Sequence, residues 1–231
     1  MSLVEDYSKA VEEIFKEKWS TREGKKVPES EDLGLSNDAV KLEGTVLYAD
    51  LDESTNLVDG YKPTFAAEIY KAYLSCAAKV IRSEEGVITS YDGDRIMAVY
   101  IGGSKNTCAT RSALKINYAV TEIINPLLRK CYPSTDYRVS QVVGIDTSEL
   151  FVARTGIRGS NDLVWVGRAA NYAAKLSSLS ADYSSWLTED VYKQLPESVR
   201  YSRDGKSMWQ ATTWNNMNGM RIYRSNWWWR I

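Results

Sequence analysis

The chain has 231 residues, of which 44% are hydrophobic and 26% charged, a composition typical of a soluble globular protein with one main core. Its 29 basic and 30 acidic side chains nearly cancel, so no general positive field would hold a nucleic acid. Histidine is absent, which excludes the Ser-His-Asp triad, histidine general bases and most zinc enzymes.

Targeting signals and cysteine pairing are not indicated either. No apolar run approaches the ~20 residues of a membrane span, and the N-terminus lacks the basic and apolar regions of a signal peptide. Cys76, Cys108 and Cys131 are odd in number and widely spaced, which favours reduced thiols. We therefore expect a cytoplasmic protein without a membrane span.

The N-terminal part is predicted to lie outside the main domain. An amphipathic helix is predicted over residues 3–19, because apolar residues recur on one face. Its polar face mixes Glu with Lys, which favours a lid or dimer element over a membrane anchor. Residues 20–39 are polar and aperiodic and are interpreted as a linker. The predicted division is an N-terminal helix and linker, residues 1–41, and a main domain, residues 42–231.

The main domain begins with a regular alternation of strands and helices. A strand over residues 45–51 precedes a long helix that starts at Pro63. Two strands around Asp92 and Gly93 form a predicted hairpin. A second helix, from about residue 107 to 130, should kink or end at Pro126.

The later segments complete the order of elements. The segments "YRVSQVVGID" and "ELFVAR" are predicted to form two further strands. The order βαββαβ is that of a ferredoxin-like α+β fold, with strands added at the C-terminus. Trp227, Trp228 and Trp229 are assigned to the final strand in preference to a partner-binding patch.

Two strand ends carry carboxylates. The first strand ends at Asp50, and the hairpin turns at Asp94 beside Gly93. In this topology the two strands are neighbours, so the two carboxylates should meet and repel each other unless a cation intervenes. Oxygen ligands without His or Cys favour Mg²⁺ or Mn²⁺. The alternative is that both residues only end strands, since Asp is common in turns.

Four segments, in order, resemble the class III nucleotidyl cyclases. They are "YADLDESTNL", "SYDGDRIMAVY", "VVGIDTSELFVARTG" and "LVWVGRAANYAAKLSSL". The resemblance implies a cyclase catalytic domain over residues 42–231 that binds two Mg²⁺ or Mn²⁺ ions. It implies that Asp50 and Asp94 are ligands of both ions, that the Leu51 carbonyl helps, and that Asn171 holds the ribose or the transition state.

The chain departs from this family at the positions that read the base and bind phosphate. Ser90 replaces a purine-reading Lys, and Val164 replaces a second polar base contact. Lys175 stands where the family has a transition-state Arg, which keeps the charge and loses the bidentate fork. Asn218 replaces a triphosphate-binding Lys, for which Arg221, Arg224 or Arg95 are the candidate substitutes.

These departures resemble the pyrimidine cyclases of the bacterial anti-phage system Pycsar. That resemblance implies conversion of UTP or CTP into a 3′,5′-cyclic nucleotide that a separate effector reads. It favours UTP, although the residues leave UTP and CTP open. Tyr48 shares a strand face with Asp50 and is a candidate neighbour of the base, with a core role as the alternative. Arg95 is a candidate donor to a phosphate or a pyrimidine, with an ion pair as the alternative.

The family also implies a head-to-tail homodimer with sites at the interface. One chain would supply the metal ligands, and its partner would supply Asn171 and Lys175. Three alternatives are an adenylate or guanylate cyclase with unusual base contacts, a palm-type polymerase or diguanylate cyclase, and a cyclase-like domain that binds nucleotides without turnover.

Overall fold

The computed structural model describes residues 2–231 and contains one mixed sheet with helices on both faces. The helices are α1 Leu3–Lys16, α2 Ser54–Gly60, α3 Pro63–Ser83, α4 Lys105–Tyr118, α5 Asn125–Cys131, α6 Arg168–Ser177, α7 Glu189–Lys193 and α8 Glu197–Arg200. The strands are β1 Ser20–Glu23, β2 Asp38–Leu51, β3 Val87–Asp92, β4 Arg95–Tyr100, β5 Gln141–Ile157, β6 Ser160–Val166, β7 Ser185–Thr188, β8 Gln210–Trp214 and β9 Met220–Ser225.

The sheet has the strand order β3-β4-β2-β5-β7-β9-β8, with β1 beside β2 and β6 beside β5. The first four of these strands pair antiparallel with one another, and α3 and α4 connect them in the ferredoxin-like manner. The predicted α+β fold, with strands added at the C-terminus and a helix at the N-terminus, is therefore confirmed. As predicted, β2 lies beside β4.

The central strand β2 packs against a different helix layer on each face. Leu47 and Ala49 belong to a core cluster with residues of α3 and α4. Val46 and Tyr48 belong to a cluster with residues of α6. This alternation follows from the two-residue period of a strand. It also assigns Asp50 to the face of Val46 and Tyr48, which packs against α6.

The prediction of two strands within residues 137–154 is wrong, because β5 is one continuous strand of 17 residues. The expected break fell at Thr147 and Ser148, the two residues between the predicted strands. The Thr147 hydroxyl donates instead to the Gly44 carbonyl oxygen of β2 at 3.2 Å and accepts from the Thr45 hydroxyl at 3.1 Å. These bonds satisfy a buried polar residue without ending the strand.

The helix does not end at Pro126, and its pattern changes before that residue. A π-helical segment, Ala119–Ile124, separates α4 from α5, and Pro126 lies in the first turn of α5. Proline has no N–H to donate, so the first turn of a new helix tolerates it.

The N-terminal helix makes few contacts with the sheet. No residue of α1 is buried, and Phe15 is 82% exposed. Part of the predicted linker is β1, which pairs in parallel with the start of β2. Since β2 begins at Asp38, the strand runs continuously across the predicted boundary between residues 41 and 42.

The assignment of the three C-terminal tryptophans to the last strand is wrong, because β9 ends before them. Asn117 on α4 donates to the carbonyl oxygens of Asn226 and Trp227 at 3.1 and 3.2 Å. The Trp229 N–H donates to the Leu114 carbonyl oxygen at 3.1 Å. These contacts to a helix replace the strand pairing that the sequence suggested.

None of the helices within residues 2–231 combines the length and the apolar character that crossing a membrane requires.

Candidate active site

The end of β2 brings Asp50 against Arg95. Ala49 pairs with Ile96, and the same antiparallel register places Asp50 opposite Arg95 at the start of β4. The Arg95 Nε donates to Asp50 Oδ2 at 3.0 Å, and Nη2 lies 2.8 Å from the same oxygen. Burial raises the pKa of Asp50 more than the Arg95 contacts lower it, and the charge of Asp94 raises it further.

Asp94 holds a carboxylate oxygen that has no partner. The residue follows Gly93, whose φ of 61° suits glycine and makes the tight turn between β3 and β4. Asp94 Oδ2 is buried and has no hydrogen-bond partner among residues 2–231. A buried acceptor without a donor is costly, and a divalent cation between Asp50 and Asp94 would satisfy it.

The donor set fits a hard cation that also takes substrate oxygens. Among residues 2–231 no cluster of three or more His, Cys, Asp or Glu side chains could hold an ion. The protein ligands available at the β2 end are thus two carboxylates, from Asp50 and Asp94. The Leu51 carbonyl oxygen is a candidate third ligand. An ion held by so few protein ligands completes its shell with water and substrate phosphates, as Mg²⁺ commonly does.

A cavity of about 360 Å³ lies between the sheet and α6. Four positions singled out from the sequence line it: Tyr48, Ser90, Val164 and Asn171. Thr155 and Asp162 add polar groups. A cavity of this volume suits one nucleoside-sized ligand.

A second cavity of about 460 Å³ continues along the same face of α6, toward its C-terminal end. Arg95 and Lys175 both line it, and Ala174 lines both cavities. Lys175 is exposed, with its Nζ 3.7 Å from the sulfur of Met217. A cation that exposed is free to approach a phosphate.

An ion pair between Arg168 and the buried Asp146 fixes the start of α6, the helix that carries Asn171 and Lys175. Asp146 on β5 is 0% exposed and accepts from Arg168 Nε at 3.0 Å and from the Thr188 hydroxyl. Gly144 on the same strand lets α6 approach closely, because an added Cβ would meet the backbone of the helix. The position of Asn171 thus depends on β5.

The structure gathers the predicted site residues into two adjoining groups within one chain, and Arg95 connects them because it faces Tyr48 and lines the second cavity with Lys175. Asp50, Leu51, Asp94 and Arg95 meet at the β2 end and the β3-β4 turn, while Tyr48, Val164 and Asn171 share the first cavity. Within residues 2–231, neither cavity has Asp50 or Asp94 in its lining.

The candidate substitutes for the missing phosphate-binding Lys are all engaged. Arg224 stacks over Tyr183 at 4.0 Å, and Arg221 lies over Tyr223 at 5.5 Å. Arg95 pairs with Asp50 and faces the ring of Tyr48 at 5.9 Å. Of the three arginines, Arg95 is the one that contacts Asp50, a proposed metal ligand.

Sequence reasoning missed two kinds of residue at this site. Thr155 and Asp162 line the nucleoside-sized cavity, but nothing in their local sequence marks them. The sequence pattern predicts that Tyr73 is a core aromatic residue of α3, and it is fully buried. Its hydroxyl, however, has no hydrogen-bond partner within residues 2–231. Only the three-dimensional structure reveals such an unsatisfied group.

Curated relatives match the chain over its full length. A protein named uridylate cyclase from Xanthomonas perforans is 55% identical over 232 residues, which is 100% of each chain. Another uridylate cyclase, from Burkholderia cepacia, is 52% identical over 233 residues, again 100% of each chain. No protein-family model matches the sequence.

Solved structures share the fold. The adenylyl cyclase CyaB from P. aeruginosa superposes with a TM-score of 0.67 at 16% identity, over 81% of this chain and 95% of that chain. The guanylyl cyclase Cya2 gives a TM-score of 0.67 at 17% identity, over 80% and 92%. At this identity the likeness shows the architecture alone.

Proposed function

The chain belongs to the uridylate cyclases, nucleotidyl cyclases with the class III fold, and on that basis we propose that it converts UTP into 3′,5′-cyclic UMP and diphosphate. The observation that carries this proposal is the full-length identity of 55% and 52% to proteins of that name. The lining of the nucleoside-sized cavity supports it, since Ser90 and Val164 replace both purine-reading groups.

In the proposed reaction the ribose 3′-oxygen attacks the α-phosphorus, the 3′-hydroxyl proton passes to water, and the bond to diphosphate breaks. Asp50, Asp94 and the Leu51 carbonyl would hold two Mg²⁺ or Mn²⁺ ions. When bound, such ions supply acidity to the 3′-hydroxyl and charge stabilisation to the leaving diphosphate. No histidine base is needed.

The other residues bind and orient the substrate. Asn171, at the wall of the first cavity, would hold the ribose so that the 3′-oxygen faces the phosphorus. Lys175 would offset the charge on the α-phosphate. Arg95 would contact a phosphate or the pyrimidine after it leaves Asp50, and the ring of Tyr48 would border the base.

The pyrimidine preference follows from what the cavity lacks. Val164 lines the cavity with a side chain that has no hydrogen-bonding atom, and Ser90 is too short to act as the long cation that reads a purine. A site that has lost its polar partners for a base loses most of its discrimination for that base.

We also propose a head-to-tail homodimer. The resemblance to the class III cyclases supports it, since in that arrangement a partner chain brings Asn171 and Lys175 to Asp50 and Asp94. Cyclic UMP would then act in the cytoplasm as a second messenger in defence against phage, read by a separate effector. The resemblance to the Pycsar cyclases supports this role.

Incubation of the purified chain with Mn²⁺ and each of the four ribonucleoside triphosphates tests the proposal. Cyclic UMP as the main product supports it, with Asp50→Ala as the inactive control. Cyclic CMP as the main product would move the assignment to CTP, and cyclic AMP or GMP would overturn the pyrimidine assignment. Nucleotide binding without any product would indicate a non-catalytic domain.

A further inference from the structure

The N-terminal helix α1 presents an apolar stripe that stays open to solvent. None of the residues of α1 is buried against the rest of residues 2–231. The stripe consists of the apolar side chains that share one face of the helix, namely Leu3, Val4, Tyr7, Val11, Ile14 and Phe15. The C-terminal end of α1 is held by Asn37, which donates to the Ile14 and Glu17 carbonyl oxygens, both at 2.8 Å. An exposed apolar stripe on an anchored helix marks a contact surface.

The charges of α1 narrow the choice of partner. With about 3.6 residues per turn, Glu5 and Glu12 lie along one edge of the stripe, and Asp6 and Glu13 lie along the other. The two lysines of α1 lie on the face opposite the stripe, each paired with a glutamate, and the helix carries four acidic side chains against two basic ones. Pairing two stripes would bring like-charged edges together, and an anionic membrane would repel them. The stripe therefore fits a partner surface that is apolar in the middle and basic at the rim.

The C-terminal tryptophans line a second uncovered surface, the tryptophan groove. Its volume is about 980 Å³, and it lies between the C-terminal segment and the residues that begin with α8. Trp227 is 39% exposed and Trp228 is 44% exposed. The Trp229 N–H bond to α4 and the two bonds that Asn117 donates hold the tryptophan segment in place. The groove is thus preformed, which lowers the entropic cost of docking a partner.

The rim of the tryptophan groove has the charge that the stripe requires. Arg203 and Arg230 line the groove together with one acidic side chain, Glu197. Both arginines are exposed, and neither forms a salt bridge with another of residues 2–231. Grooves of this kind take up amphipathic helices, and Trp and Arg are the residues that contribute most at such contacts.

We propose that α1 of one copy of this chain docks its apolar stripe in the tryptophan groove of a second copy. The contact joins two different surfaces, so each copy has one helix to give and one groove to fill. Neither surface contains a residue of the proposed active site. The inference therefore goes beyond the proposed function and does not depend on it.

The test is the weight-average mass of the full chain, measured by sedimentation equilibrium at concentrations where the wild type associates. Val11→Glu places a charge in the middle of the stripe, and Trp227→Ala removes an exposed side chain from the groove. We expect each variant to lower the mass by about twofold or more relative to wild type. Lys9→Gln changes the opposite face of α1, and this matched control should keep the wild-type mass.

Mixing the two variants separates docking in the groove from other contacts. Val11→Glu retains an intact groove and Trp227→Ala retains an intact stripe, so an equal mixture should have a higher mass than either variant alone. Self-pairing of α1 would be overcome by Val11→Glu and kept by Trp227→Ala, which would overturn the proposal. Equal masses of wild type and both variants would also overturn it, because α1 would then make no contact with a second copy.

Arg203→Glu guards against misfolding of Trp227→Ala. It reverses the charge of an exposed side chain at the rim and removes no packing, so its melting temperature should stay near that of the wild type. We expect its mass to fall as in Trp227→Ala. A wild-type mass for Arg203→Glu would remove the charge complementarity that selects α1 as the occupant, and would refute the proposal.

Discussion

Arg95 Nε and Nη2 converge on a single oxygen of Asp50, at 3.0 and 2.8 Å. The guanidinium thus neutralises one of the two carboxylates that meet at this end of the sheet. A cation that binds Asp50 must compete with this pair, so in the proposed mechanism Arg95 leaves Asp50 when the metal arrives. The freed guanidinium would then be available to the nucleotide.

Replacing Arg95 with Gln should destabilise the metal-free protein. Asp50 then keeps its burial and the repulsion of Asp94 without its cationic partner, and we expect a loss of about 1 kcal/mol in the free energy of unfolding for this partly exposed pair. Mn²⁺ should recover most of the loss. Urea titrations in EDTA and in Mn²⁺ measure both values. Lys193→Gln breaks an exposed pair with Glu189 and should show no dependence on Mn²⁺.

The stability of the metal-free protein should fall as pH rises through the pKa of Asp50. Because burial raises that pKa above the ordinary 3.8, the folded state binds the proton more tightly than the unfolded chain. The contribution of Asp50 is therefore fully present below 3.8 and is lost as pH rises through the raised value. In urea titrations with EDTA from pH 4 to 7, the stability of Asp50→Asn relative to wild type should increase with pH. A flat difference would contradict the shift.

Activity should be recovered in mixed dimers. Asp50→Ala and Asn171→Ala each disable both sites of their own homodimer in the proposed head-to-tail arrangement. Mixing equal amounts should give about a quarter of the wild-type rate, since half of the dimers are mixed and each has one intact site. Cyclic UMP formation before and after subunit exchange measures this. Absence of recovery in verified heterodimers would place the complete site within one chain.

Restoring polar base contacts should shift the substrate preference toward purines. The double variant Ser90→Lys with Val164→Asp adds a cation and a carboxylate to the lining of the first cavity. We expect the ratio of kcat/KM for ATP over UTP to rise by about tenfold or more. Ser90→Ala with Val164→Ala is the matched control, since it adds no hydrogen-bonding group and should leave the ratio low. An unchanged ratio in the Lys and Asp variant would mean that the base binds elsewhere.

Gly144→Ala should impair catalysis through α6. The added Cβ would meet the Ala173 carbonyl oxygen and the Ser177 N–H, both of them backbone atoms that cannot turn aside. We expect a loss of about 1–3 kcal/mol in stability and a lower kcat, because Asn171 moves with the helix. Gly103→Ala, where an added Cβ meets nothing within 4 Å, should leave both unchanged. Denaturant titration and initial rates measure the two effects.

The sequence was most informative where local chemistry and topology coincide. The order of elements predicts that β2 and β4 are neighbours, and the structure pairs them, so the strand ends that carry Asp50 and Asp94 lie at the same edge. The continuity of β5 could not be predicted, since the hydrogen bonds that keep Thr147 in the sheet involve residues of β2. The unsatisfied hydroxyl of Tyr73 could not be predicted either, because whether it finds a hydrogen-bond partner depends on how α3 packs against β4.

The length of β2 is constrained because the position of Asp50 depends on the register of this strand. The strand pairs with β4 on one side and β5 on the other in a fixed register. A single-residue insertion within it would exchange its two faces and turn Asp50 away from Arg95. A two-residue insertion would keep the faces and move the carboxylate by about 6.6 Å. Natural length variation should therefore be found in the loops of this protein, and engineered insertions should avoid residues 38–51.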